Sequence, residues 1–179
     1  IPESYRERFG ELLQIVELPA SYNEALGGAT GWPRVYDFYR RNWGLYDRDV
    51  ARRYMALNLL QVEVLDAAIG RFLAALDARG LYDEAAIVFL GDHGEMNAER
   101  ALVDKGVYGH PKVALTPLAV KLPQGERAGE TCADLVSLLD VAPTLLGLAG
   151  VAPAERLDGQ PLVAVGAPAS SRHERCQQA

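Results

Sequence analysis

One short stretch constrains the fold of this chain more than any other. Residues 85–90 form an unbroken apolar run, and Gly91-Asp92-His93-Gly94-Glu95 follows it directly. A short apolar run without polar alternation is typical of a strand that is covered on both faces. Open α/β sheets bind their ligands just beyond the carboxyl ends of such strands. The stretch therefore predicts a buried central strand with Asp92 and His93 at its ligand-binding end.

A long amphipathic helix is predicted before this strand. Between Asp49 and Ala78, apolar residues recur at alternating steps of four and three positions, which is the spacing of one helix face. A long helix that leads into a buried strand favours an α/β fold with parallel strands. Further along the chain, residues 117–122 predict a second strand, and Asp140 is expected to cap a helix that stops at Gly150.

Composition and charge exclude several classes of function. The chain of 179 residues is 49% hydrophobic and carries a formal net charge of −6, spread along the sequence without a stripe of Lys and Arg. This argues for a globular domain and against a nucleic-acid partner. The sequence contains no apolar run long enough to predict a transmembrane segment. The compartment, whether cytoplasmic or periplasmic and secreted, and the oligomeric state are left open.

Two features of the termini and cysteines complete this general description. The N-terminus has neither an initiator Met nor the layout of a signal peptide, so we expect the true start of the protein to be missing. Cys132 and Cys176 fit no metal or redox spacing and are interpreted as free thiols.

The Asp92-His93 pair offers one oxygen and one nitrogen to a divalent cation. Two donors cannot complete a coordination sphere, so other ligands would have to come from elsewhere. The alternative is that Asp92 caps a turn and His93 packs beside it. The pair alone leaves both interpretations open.

Five motifs, with their order preserved, resemble those of type I sulfatases in the alkaline phosphatase superfamily. They are Leu65-Asp66-Ala67-Ala68-Ile69-Gly70, Gly91-Asp92-His93-Gly94-Glu95, Asp104-Lys105-Gly106, Thr116-Pro117-Leu118-Ala119-Val120, and residues 136–151 followed by Leu157-Asp158-Gly159-Gln160-Pro161-Leu162. The resemblance covers residues 50–163. Such an ordered set is far more specific than any one of its members.

The resemblance implies a fold and a domain organisation. The expected fold class is α/β: an alkaline-phosphatase-like sandwich of a mostly parallel sheet with flanking helices, present as a partial domain. Residues 1–165 would be the C-terminal part of a sulfatase catalytic domain, with 1–48 a loop-rich lead-in and 49–165 the best match. Residues 166–179 are expected to be a disordered tail.

The resemblance also implies residue roles. Asp92 and His93 would be ligands of one divalent cation, which in this family is usually Ca²⁺; the nitrogen ligand leaves Mg²⁺, Mn²⁺ and Zn²⁺ open. Lys105 would be the catalytic and substrate-binding residue that pairs with a sulfate oxygen; the alternative is a solvated surface lysine. His110 is a candidate substrate contact, and its alternative is a turn residue before Pro111.

The family's nucleophile is a formylglycine made from Cys or Ser within C/S-x-P-x-R, and no stretch of this sequence fits that pattern. It is expected in the missing N-terminal part. The predicted function is therefore that of a fragment of a sulfuric ester hydrolase that acts on small-molecule or carbohydrate sulfate esters. The alternatives are a phosphodiesterase or phosphonate monoester hydrolase of the same superfamily, and a non-catalytic remnant of the fold.

Overall fold

The computed structural model describes residues 1–27, 33–106 and 108–162. Its contacts divide the chain into two compact units, unit 1 with Ile1–Tyr82 and His93–Leu118, and unit 2 with Asp83–Asp92 and Ala119–Ala179. The α-helices are α1 (Arg6–Ile15), α2 (Ala20–Leu26), α3 (Arg34–Asn42), α4 (Arg48–Asp77), α5 (Pro111–Ala114) and α6 (Val141–Leu148). The described strands are β1 (Ile87–Leu90) and β2 (Leu118–Lys121).

The predicted long helix is confirmed as α4, within one residue at each end. Its N-terminus is capped by the Asp47 side chain, which accepts a hydrogen bond from the Asp49 N–H at 2.8 Å. The first half of α4 packs on α1, where Leu12 and Val16 form a buried cluster with Ala56 and Leu60. The apolar periodicity thus predicted the helix but not its buried face. Leu59, Val62, Leu65 and Phe72, which carry the predicted spacing, are exposed, whereas Ala56 and Leu60 are buried.

The described part of the lead-in, residues 1–27 and 33–48, contains the α-helices α1, α2 and α3. Tyr22 of α2 is buried in a core cluster with Leu45, which follows α3, and Ala51 of α4. The Tyr22 hydroxyl donates to the Leu45 carbonyl at 2.6 Å inside this core. The same cluster contains Ala98 and Val103, so the core of unit 1 reaches the segment that follows His93.

Both predicted strands are present, and β1 pairs with β2 in a two-stranded antiparallel sheet. The expectation that β1 is covered on both faces was wrong for the part of the chain that the structure describes: Phe89 is 45% exposed and Leu90 37%. Two strands alone leave a sheet with few neighbours to cover it. The parallel pairing expected from the helix-then-strand order is not seen between these two strands.

The helix predicted near Asp140 is confirmed as α6, but Asp140 acts differently from the prediction. Ser137 is the N-cap of the 3-10 turn Leu138–Asp140, and the Asp140 carboxylate accepts from the Ser137 N–H at 3.0 Å. Its second oxygen accepts from the Gln160 N–H at 2.8 Å. The Thr144 hydroxyl likewise accepts from the Leu162 N–H at 2.9 Å. The helix motif and the Leu157–Leu162 motif are therefore joined by two side chains.

Asp140→Ala is expected to destabilise the protein by about 2–4 kcal/mol, because the backbone N–H groups of Ser137 and Gln160 lose a buried charged acceptor. Asp140 is only 4% exposed, so water cannot readily replace the carboxylate. Chemical denaturation followed by circular dichroism measures the change. Asp158→Ala is the control, since Asp158 is exposed in the same unit; an equal effect of both substitutions would contradict the role of Asp140.

Three remaining expectations concern the cysteines, the tail and membranes. Cys132 is disulfide-bonded, so its interpretation as a free thiol was wrong. Cys176 and the predicted disordered tail at 166–179 lie outside the described residues. Within the described ranges, none of the helices combines the length and the apolar character needed to cross a membrane.

Candidate active site

Two of the predicted site residues, His93 and Lys105, are in contact. The Lys105 Nζ lies 2.9 Å from the His93 Nε2, and both side chains are exposed. An ammonium group can only donate, so the His93 Nε2 must accept. The proton of the ring is then on Nδ1, which lies 3.0 Å from the Gly94 carbonyl and donates to it. These two contacts fit the tautomer of His93 that carries its proton on Nδ1.

Asp92 lies two residues beyond β1 and is exposed, as predicted for the end of this strand. The division into compact units falls between Asp92 and His93, so Asp92 belongs to unit 2 and Lys105 to unit 1. That Asp92 joins His93 and Lys105 in one site stays a prediction.

The fit to a divalent cation is partial. Among residues 1–27, 33–106 and 108–162, no three side chains of His, Cys, Asp or Glu are grouped so that they could hold a metal ion. Asp92 and His93 do offer the right donor chemistry, a carboxylate oxygen and an unprotonated imidazole nitrogen. They fit part of a coordination sphere, and further donors would have to come from other residues.

The loop that joins His93 to Lys105 has an unusual backbone. Five residues other than glycine have positive φ between Asn97 and Asp104, from 44° at Asn97 to 68° at Ala98. Each such residue costs roughly 1–3 kcal/mol and persists only where the surroundings hold it in place. We refer to residues 96–106 as the strained loop.

The strained loop is held by packing and by hydrogen bonds within unit 1. Met96 and Leu102 are buried in one cluster with Tyr108, and Ala98, Ala101 and Val103 are buried in another. The Arg100 backbone is fixed at both polar groups: its N–H donates to the Ser21 hydroxyl at 3.0 Å, and its carbonyl accepts from the Arg40 guanidinium at 3.1 Å. These contacts offset the cost of the positive φ values.

Side chains of α4 reach the start of the strained loop. The Glu95 carboxylate accepts from the Asn97 N–H at 3.2 Å and lies 3.4 Å from the Tyr54 hydroxyl. Asn58 donates from its side-chain amide to the Asn97 side-chain carbonyl at 3.1 Å. The sequence did not predict roles for Tyr54, Asn58 or Glu95. Only Glu95 carried a signal, since it belongs to the Gly-Asp-His-Gly-Glu motif.

Steric contacts explain why two positions of the motifs, Gly94 and Gly106, are glycine. Gly94 donates its N–H to the Val113 carbonyl at 2.7 Å, and a β-carbon on Gly94 would overlap the Lys112 carbonyl oxygen of α5. Gly106 has φ of +45°, and a β-carbon there would overlap the Tyr108 ring. The Gly residues beside the candidate site are therefore required by close packing and, at Gly106, also by backbone conformation.

His110 is the N-cap residue of α5, and its Nδ1 accepts from the Lys112 N–H at 3.2 Å. Burial, followed by the charge of Arg100, lowers the pKa of His110 below its usual value, which favours the neutral ring. This capping role agrees with the turn-residue alternative. The role of His110 as a substrate contact stays a prediction.

Comparison with known proteins decides the family. The family model of the sulfatases matches residues 2–151. The chain belongs to the sulfatase family, within the alkaline phosphatase superfamily. This sulfatase chain is 32% identical over 125 residues to the uncharacterized sulfatase YidJ of Escherichia coli K12. The matched region covers 70% of the chain and 23% of YidJ. The chain thus spans about a quarter of the length of this curated relative.

Solved structures agree with the α/β, alkaline-phosphatase-like fold class. The structure of BT4656 in complex with its substrate D-glucosamine-2-N,6-O-disulfate matches with a TM-score of 0.60 at 28% identity, covering 72% of this chain and 26% of the other. The phosphonate monoester hydrolase of Silicibacter pomeroyi matches with a TM-score of 0.63 at 23% identity, covering 84% of this chain and 31% of the other. The second likeness shows the fold alone.

Proposed function

We propose that this chain forms part of a sulfuric ester hydrolase and supplies its sulfate-binding lysine together with part of its metal site. The contact between the Lys105 ammonium and His93 carries the proposal, because it brings two residues of separate sulfatase motifs together. Carbohydrate sulfate esters are the proposed substrates. The structural neighbour BT4656, bound to a disulfated glucosamine, supports this substrate class.

Lys105 binds the substrate in this proposal. Its ammonium pairs with an oxygen of the sulfate group and meets the negative charge that develops as the ester bond breaks. The Lys105 ammonium lies beside the His93 ring, and the strained loop fixes the Lys105 backbone. His110 is proposed as a further contact on the substrate, since its neutral ring can donate from Nε2 while Nδ1 accepts from the α5 backbone.

Asp92 and His93 would hold a divalent cation, with Ca²⁺ first and Mg²⁺, Mn²⁺ and Zn²⁺ as the other candidates. Such a cation supplies Lewis-acid polarisation of the sulfate when it is bound. Asp92 would contribute a carboxylate oxygen, and His93 would contribute Nε2 once the Lys105 ammonium turns from that nitrogen to the substrate. The nucleophile in this proposal is a formylglycine that this chain does not encode, because the sequence contains no C/S-x-P-x-R.

The purified 179-residue chain is therefore expected not to turn over sulfate esters, since covalent catalysis requires an activated nucleophile. Sulfate release from an aryl sulfate and from a glucosamine sulfate, with each candidate cation added, measures this. Lys105→Ala is the control for background hydrolysis. Metal-dependent release by the chain above that control would contradict the assignment of the nucleophile to another segment.

The proposed function itself is tested in a polypeptide that joins this chain to a sulfatase segment carrying C/S-x-P-x-R. Turnover of sulfate esters in preference to phosphonate monoesters and phosphodiesters is the expected result. A preference for the phosphorus esters would favour the phosphonate hydrolase alternative. Absence of turnover for every ester, with formylglycine verified by mass spectrometry, would favour a non-catalytic remnant.

A further inference from the structure

A backbone hydrogen bond joins the first residue of the strained loop to a residue near its end. The Met96 N–H donates to the Asp104 carbonyl at 3.4 Å, so the residue after Glu95 is tied to the residue before Lys105. The Lys105 N–H in turn donates to the Asp104 carboxylate at 2.7 Å. A displacement at the start of the loop is therefore transmitted to the backbone of Lys105 over a short path.

Glu95 connects this start to α4. It is partly buried, and its carboxylate is shared between the Asn97 N–H and the Tyr54 hydroxyl. Tyr54 and Asn58 are four positions apart on α4, which puts both on one face of the helix. Glu95 and Asn97 thus meet a rigid helical surface at two points, through Tyr54 and Asn58.

The charges around Tyr54 are consistent with a donor hydroxyl. Burial, and then the negative charge of Glu95, raise the pKa of Tyr54 above its usual value. The hydroxyl consequently keeps its proton at neutral pH and can donate to the carboxylate. The hydrogen bond accordingly runs from the Tyr54 hydroxyl to Glu95 Oε1.

We propose that Glu95 is a positioning residue for Lys105: together with Tyr54 and Asn58 it fixes the start of the strained loop, whose end holds the Lys105 ammonium beside His93. Positive φ values relax when their surroundings stop holding them, so loosening the anchor lets the loop move away from this conformation. The inference rests on the proposed function only in taking Lys105 as the sulfate-binding group. The claim that Glu95 fixes the position of Lys105 does not depend on catalysis.

The test measures the Lys105–His93 contact directly, in the 179-residue chain. Ring nitrogen NMR of His93 at one fixed pH is expected to show the Nδ1–H tautomer in the unsubstituted chain. Lys105→Ala, which removes the donor to Nε2, provides the reference spectrum for loss of the contact. Tyr54→Phe and Glu95→Gln are expected to move the His93 signals toward that reference. Both variants keep the size of the side chain.

Tyr46→Phe is the matched control. The Tyr46 hydroxyl also donates to a carboxylate, that of Asp37, and both side chains are exposed or partly exposed. It is expected to leave the His93 spectrum unchanged. Thermal unfolding of all four variants provides the comparison for stability.

Amide hydrogen exchange gives the second readout. Exchange of residues 96–106 is expected to be at least about tenfold faster in Tyr54→Phe and Glu95→Gln than in Tyr46→Phe, since local opening becomes easier when an anchor is lost. Faster exchange with an unchanged His93 spectrum would show that Glu95 stabilises the loop without positioning Lys105, and this would overturn the proposal. An unchanged spectrum with unchanged exchange would overturn it as well. Neither result depends on whether a sulfate ester is hydrolysed.

Discussion

Lys105→Ala is expected to lower the turnover of sulfate esters by on the order of a hundredfold in a polypeptide that joins this chain to a sulfatase nucleophile. This is the usual effect of losing one electrostatic contact to a transition state. Lys105 is exposed in the chain, and its ammonium contacts the His93 ring. Its loss should therefore change the free energy of unfolding by under about 0.5 kcal/mol. Steady-state kinetics and denaturant unfolding measure the two quantities.

Two variants separate this effect from its alternatives. Lys112→Ala removes another exposed lysine of the same unit and is expected to leave turnover near normal. Asp92→Ala is expected to weaken divalent-cation binding as well as turnover, which isothermal titration with Ca²⁺ and Zn²⁺ measures. Near-normal turnover in Lys105→Ala would remove the sulfate-binding role from Lys105 while leaving the family membership intact.

Gly94→Ala is expected to destabilise the protein by about 3 kcal/mol or more, at the upper end of the cost of inserting atoms into a packed site. The added β-carbon would overlap the Lys112 carbonyl oxygen and lie 3.1 Å from that of Leu115. These are backbone atoms, so a rotamer change cannot relieve the overlap. The Gly94 N–H bond to the Val113 carbonyl would have to lengthen or break. Thermal and denaturant unfolding measure the loss.

Gly109→Ala is the matched control for this substitution. A β-carbon on Gly109 would meet no atom within 4 Å, and Gly109 does not have positive φ. The control is expected to stay within about 0.5 kcal/mol of the unsubstituted chain. Equal stability of Gly94→Ala and Gly109→Ala would show that α5 does not approach Gly94 as closely as described.

The long helix could be predicted from sequence because its signal is local. The apolar spacing of α4 repeats over many turns, and its cap lies next to its first residue. The strands β1 and β2 were predicted for the same reason, as short apolar runs bounded by other residues. Their burial could not be predicted from sequence, because coverage depends on what packs against a strand rather than on the strand itself.

The strained loop shows where sequence-based prediction fails. Ala98 and Ala101 have positive φ, although alanine favours a right-handed helix and gives no sign of a left-handed backbone. Their conformation is imposed by burial in the core of unit 1. Ser21 and Arg40, which hold the Arg100 backbone, are distant in sequence and belong to no recognised motif.

The candidate site was predicted in part, through motifs. The spacing of the Lys-Gly element after the Asp-His pair predicted a role for Lys105, and the structure brings Lys105 to His93. The roles of Lys105, Asp92, His93 and His110 stay predictions. The contributions of Tyr54 and Asn58 could not be predicted, since the helical periodicity of α4 says which face is apolar but not which polar residue meets a loop.

The anchoring of the strained loop also constrains the number of residues between Asp92 and Lys105. Lys105 stands thirteen positions after Asp92, and the chain between them is fastened at Glu95, at Arg100 and at Asp104. Such a segment cannot accommodate an insertion or a deletion without loss of contacts, because a change in length would shift the later residues away from their hydrogen-bond partners. Substitution at solvent-facing positions of this segment is tolerable where a change in its length is not. In related chains, the number of residues between the Asp-His pair and the lysine should therefore vary less than the identity of those residues.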